Sequence, residues 1–253
     1  MLDLQKAGIF KRFSAWLCDI VLLAVVTIGA LLLGMLITNY DDYSNHISER
    51  KAYYETKYGE EIIYAEDVDA LTPEQKALRE QAEKELEADA EALNKAQSMV
   101  YNLSVTLPAI SLFIAFMLLE FLVPMLFGNG QTVGKKIFGV GVMKTNSTKI
   151  TPQILFVRAI LGKYTMETMV PVAILLLIYS GFLGGVLGLI VIALIWIFNI
   201  VLVIATKTNS AIHDVLSYTV TVELASQRIF ENEEALLEYK KKLHAEAAES
   251  AKY

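Results

Sequence analysis

Two carboxylates stand where carboxylates are costly. Asp19 is the only charged residue in the apolar run 13–38, and Glu120 is the only one in 99–127. An ionised group deep in a membrane helix costs about 2.5–3.5 kcal/mol on insertion scales, so each needs a partner, water or a proton. Asp19 lies seven residues inside Arg12, and Glu120 seven residues inside Phe127. On neighbouring antiparallel helices both would sit about 10 Å from the same boundary. Asn199, the one amide of the last apolar run, is eight residues inside Lys207 and reaches a similar depth. Oxygen-bearing side chains sharing one layer could bind a proton or Na+ competitively, with Asp19, Glu120 and Asn199 as the candidate site.

Arg12 and Asp19 are two turns apart on one helix face, too far for an intimate local pair. Either Arg12 reaches inward, or each finds a partner on another segment. The second reading is preferred, with His213-Asp214 as the source. A buried Asp–Arg network could also serve only to fix helix register in a bundle that has no hydrophobic drive to associate. Other chemistries are excluded by pattern. The glycines around Gly134 are not a phosphate loop, because position 129 is Asn and Lys135 is followed by Lys136 rather than Ser or Thr. No nucleophile motif or H-E-x-x-H pair accompanies His213, which reads as a helix-end or interfacial residue. No enzyme activity, cofactor or nucleic-acid partner is expected.

The elements that must position these groups follow from the distribution of apolar residues. The run 13–38 exceeds the ~20 residues needed to cross a bilayer, and so does 99–127. Residues 168–206 carry no charge at all, and as one helix would be about 58 Å long, nearly twice the hydrocarbon thickness. The stretch SGFLGG at 180–185 supplies glycines for a tight turn, giving a hairpin of two spans and a total of four. The first run holds an acid and lacks an A-x-A pattern before Tyr40, so it reads as a retained anchor and not a cleaved signal. The expected class is an all-α polytopic membrane protein in a lipid bilayer.

Charge sets the expected orientation. Residues 39–98 hold 16 acids and 7 bases, and are the natural translocated loop. Lys6, Lys11 and Arg12 precede the first span, and 128–166 contains six bases and no acid. Short basic loops stay inside, which places both termini in the cytoplasm of a plasma-membrane protein. The organisation is then 1–38 N-terminus and first span, 39–98 external insert, 99–127 second span, 128–167 basic connector, 168–206 hairpin and 207–253 cytoplasmic tail.

Outside the bilayer, Thr72-Pro73-Glu74-Gln75 is a capping box that opens a helix free of glycine to Gln97 and running on into the second span. Residues 41–58 form a second helical candidate whose tyrosines could pack on the first, so an external helical hairpin is expected. Its acidity reads as solubility, with docking of an external protein partner as the other possibility. In the connector, Val133, Ile137, Val140 and Val142 with a turn at Asn146-Ser147 predict a short β-hairpin. Residues 152–166 predict an amphipathic helix in the interface, with Arg158 and Lys163 as lipid anchors. Glycines at 181, 184, 185 and 188 offer close helix contacts for a homo-oligomer, though turn and packing roles explain them too.

Arg12 and Asp19 in KRFSAWLCD, Asp214 in NSAIHDVLSYTVTV, and GQTVGKKIFGVGVMKTN followed by Arg158 together resemble the RDD family of membrane proteins, named for one arginine and two aspartates. The resemblance covers 6–39 and about 99–224. It implies a bacterial-type inner-membrane protein associated with transport, some members being proposed as sodium/proton antiporters. Glu120 lies outside the naming triad, and its role rests on depth alone. The contrasting reading is a membrane scaffold acting through the acidic insert.

Overall fold

The computed structural model describes residues 4–250. Among the described residues, four helices are long and apolar enough to cross a membrane: α1 (Ile9–Thr38), α3 (Pro73–Phe127), α5 (Pro152–Tyr179) and α6 (Gly185–Ala205). Between them lie α2 (Tyr40–Tyr58), a short α4 (Val133–Ile137) and strand β1 (Val140–Lys144). The chain ends with α7 (Ile212–Leu216), strand β2 (Thr219–Glu223) and α8 (Glu233–Ser250). By contacts it divides into two compact units, and Thr27–Leu112 is one of them.

That unit contains the helical hairpin expected for 39–98. Thr72 and Gln75 cap reciprocally, the Gln75 amide donating to the Thr72 hydroxyl at 3.3 Å and the Thr72 amide to the Gln75 side chain at 2.9 Å. This satisfies two donors that the first helical turn leaves orphaned. Gly59, at φ 87°, ends α2 in a conformation that side chains disfavour. Tyr54, Tyr58 and Ala82 form the core, with Ile63 packed against them. Glu85 accepts from Tyr53, Lys57 and Tyr58 at 2.6–2.8 Å, and Arg50 pairs with Asp89. Tyrosines bridge the apolar and polar layers here because one ring supplies both.

The other unit holds the remaining described residues, 4–26 and 113–250. Its small sheet is antiparallel, with β1 paired to β2 in the register Val140↔Glu223 to Lys144↔Thr219. Met143, Val220 and Val222 are fully buried there, and Leu4 and Ile229 pack on them. The return strand is therefore distant in sequence and not a local hairpin. A turn does form at Asn146-Ser147, with Ser147 at φ 69° and a single bridge from Met143 to Lys149. Val133 and Ile137 are helical, since the Thr132 hydroxyl caps α4 by accepting from the Lys135 amide.

The separate interfacial helix expected over 152–166 is corrected. Residues Pro152–Tyr179 form one helix of 28 residues, so the third span begins 16 residues earlier than the uncharged run. Much of it, Val157–Met169, is π-helical, and Met117–Leu122 of α3 is π-helical too. The Thr165 and Thr168 hydroxyls donate to carbonyls five residues back, at 2.9 Å each. A π-turn widens the helix and changes which residues share a face. Arg158 and Lys163, five apart, are about 140° apart on a regular α-helix, and the wider turn brings them closer together. The turn between the last two spans lies where the glycines predicted it, with Gly181 at φ 78°.

Candidate functional site

Helix α1 carries Asp19 to a loop-and-turn built from 132–135. Its Oδ1 accepts the Gly134 amide at 2.8 Å, its Oδ2 accepts a short hydrogen bond from the Thr132 hydroxyl, and the Lys135 Nζ stands 4.0 Å away. Lys135 also donates to the Thr132 hydroxyl at 3.2 Å. Only glycine fits at 134: a Cβ there would lie 2.2 Å from the Ala15 carbonyl and 2.9 Å from Asp19 Oδ1. Thus a capped turn is pressed onto the first span so closely that its backbone solvates the buried carboxylate. Burial, with Lys163, drives the Lys135 ammonium down to about 7, against the pull of Glu120 and Asp19 in the other direction.

Glu120 finds a different partner. Lys163 of α5 donates to it at 2.6 Å, the two π-helical segments meeting through this pair, and both side chains are nearly buried. Lys163 is therefore not a lipid anchor, and the correction has a plain cause: in a dry bundle the carboxylate is the better electrostatic partner.

The third centre is Asp214, which is completely buried. Arg158 reaches Oδ1 at 2.8 Å, and the Thr219 hydroxyl donates to the same oxygen at 3.1 Å. Arg12 lies 3.6 Å from Oδ2 and donates to the Asn209 carbonyl at 2.7 Å. Burial raises the Asp214 pKa, but Arg158, His213 and Arg12 together outweigh it and hold the carboxyl at about 2. Arg158 is 4% exposed, so its expected role at lipid headgroups is corrected to that of the main counter-ion of Asp214. His213 shares a 2.8 Å hydrogen bond with Glu167 and lies 3.7 Å from Asp214. The helices approach closely here too, because a Cβ at Gly162 would come within 2.6 Å of the His213 Cβ.

Asp19, Glu120 and Asn199 are thus each held by a different segment. Asp19 is bound by 132–135 and Glu120 by Lys163, while Asn199 accepts the Ile212 amide at 3.2 Å and secures the start of α7. Lys135 is the element in common between the two carboxylates, its charge acting on both. Arg12 and Asp214 come together, with Arg158 and His213 around them. Thr132, Lys135 and Glu167 were not singled out by sequence. Thr132 carries the signal of a helix cap before VGKK, and Glu167 is the lone acid between the basic connector and the uncharged run.

Against known proteins, residues 6–218 match the model of the RDD family, a span that includes every residue of the three centres just described except Thr219. No curated protein and no solved structure matches.

Proposed function

Since the chain belongs to the RDD family and has four candidate membrane-spanning helices, we propose that it is a transporter exchanging a monovalent cation, Na+ or a close relative, for a proton at Asp19. The observation that carries this reading is the Lys135 ammonium, nearly buried and 4.0 Å from a carboxylate that the Thr132 hydroxyl and Gly134 amide also hold. A positive charge already occupies the place a transported cation would take. When the ammonium withdraws or gives up its proton, the Asp19 and Thr132 oxygens are left with unbalanced negative charge in a poorly solvated site. A small monovalent cation restores that balance. In this scheme Glu120–Lys163 is a second compensated pair beside the site, and Arg12–Asp214–Arg158 braces its cytoplasmic mouth.

The orientation that goes with this reading has the acidic 39–98 segment outside and both termini in the cytoplasm, from the distribution of Lys and Arg. Four spans make a thin bundle, so a homo-oligomer belongs to the proposal. In proteoliposomes, a Na+ gradient should drive proton movement through the wild type, and Asp19→Asn should abolish it. Equal flux in both would end the reading. A scaffold role is favoured by one observation, the separate packed core of Thr27–Leu112 around Tyr54, Tyr58 and Ala82. Replacing 41–95 by a short linker separates the two readings: transport predicts retained flux, and a scaffold predicts lost co-purification of partners.

A further inference from the structure

Within the unit Thr27–Leu112, an open cleft of about 440 Å3 runs along α2 and α3. That size falls within the ~300–1,000 Å3 typical of small-molecule sites. Its walls are apolar and aromatic, from Ile47, Tyr54, Leu86 and Leu93. Its charge contradicts its surroundings. Residues 39–98 hold 16 acids and 7 bases, yet Arg50, Lys51 and Arg79 line the cleft against Glu83 alone.

The three cations differ in how firmly they are committed. Arg79 is fixed, donating to the carbonyls of Ile62 and Ala65 at 3.4 and 3.1 Å. Arg50 lies over the Tyr53 and Tyr54 rings and uses one terminal nitrogen for Asp89 and the Tyr54 hydroxyl, while its Nε is buried with no acceptor among the described residues. Leaving such a donor unmet costs about 1–3 kcal/mol. Lys51 is 62% exposed on its side chain and only 3.6 Å from Glu55, a surface pair with little energy to hold it there. Its ammonium also lies 5.6 Å from the centre of the Tyr64 ring, and two such weak surface contacts let it turn toward a ligand.

We infer that this cleft binds an amphipathic anion, a single acidic head on an apolar body. The walls take the body, and Arg50 with Lys51 takes the head. A soluble aromatic acid and an anionic lipid offer the same chemistry, and the test distinguishes them.

The full chain in nanodiscs of zwitterionic lipid is titrated calorimetrically with 4-phenylbutyrate, 4-phenylbutanol and 4-phenylbutylammonium, against empty discs. The acid should bind saturably, at least about tenfold more tightly than the alcohol, with no binding of the ammonium. Lys51→Gln should weaken the acid severalfold. Leu86→Trp, at a position 45% exposed and so able to accept the larger ring, should fill the cleft and abolish binding. Equal affinity for acid and alcohol, undiminished binding in Leu86→Trp, or no binding of the acid at all would each overturn the inference. Displacement of the acid by anionic phospholipid in the discs assigns the lipid as the natural anion, and persistence of binding assigns a soluble acid.

Discussion

At the scale of single residues, the molecule is organised by how each buried charge is compensated. Asp214 illustrates the balance, because burial alone would raise its pKa and the two arginines with His213 reverse that effect. Its folded value of about 2 lies below the unfolded 3.8, so its contribution to stability is present in full above 3.8 and is lost as pH falls toward 2. We therefore expect Asp214→Asn to destabilise the protein in detergent by about 3–5 kcal/mol near neutrality, since two arginines lose a buried partner. The gap between the variant and the wild type, followed by thermal unfolding, should narrow below about pH 4. A gap independent of pH would show that the charge of Asp214 is not what matters. Lys135 shifts in the same direction but acts as a cost: its folded value of about 7 lies below the ordinary 10.5, so the cost of burying it applies in full below 7 and is relieved as pH rises from 7 to 10.5.

At the scale of elements, two close approaches set the geometry. Helix α4 meets α1 at Gly134, and α5 meets α7 at Gly162. Gly134→Ala would push a methyl into the Ala15 carbonyl, which is helix backbone and cannot rotate away. The turn must retreat, and the Gly134–Asp19 hydrogen bond lengthens with it. We expect a loss of about 1–3 kcal/mol, the usual cost of overpacking, read as a lower unfolding midpoint. Cation-driven proton flux should fall in parallel if Asp19 is the exchanging group. An unchanged midpoint would mean that the two elements are not in tight contact. The π-helical segments belong to the same scale. They bring Arg158 and Lys163 toward one face, where a regular helix would send one of them to lipid.

At the scale of the whole molecule, the sign of charge on each loop decides which way the chain inserts. With Cys18→Ser as background, Glu87→Cys should react with a membrane-impermeant maleimide applied to intact cells, and Lys241→Cys only after permeabilisation. The reverse pattern would invert the orientation and with it the direction of the proposed exchange. The family match over 6–218 runs through Thr27–Leu112 as well as the chain on either side of it, and Thr27–Leu112 is a compact unit in its own right. That arrangement is compatible with a separate ligand for the hairpin, because its core is self-contained around Tyr54, Tyr58 and Ala82.

The sequence alone was enough for whatever depends on solvent or on near neighbours. Four apolar runs, the capping box at Thr72, the turn at Gly181 and the cost of burying Asp19 all follow from local periodicity and from the price of moving charge out of water. Only the tertiary structure decided which groups meet. Gly134 reaches Asp19 across 115 residues and β1 finds its strand at 219–223, while Arg158 and Lys163 turn inward to carboxylates on other segments. The physical reason is the same in each case. Which acid neutralises which base is settled by chain reversals and by a helix that departs from its regular period, and neither is written into the spacing of residues along one element.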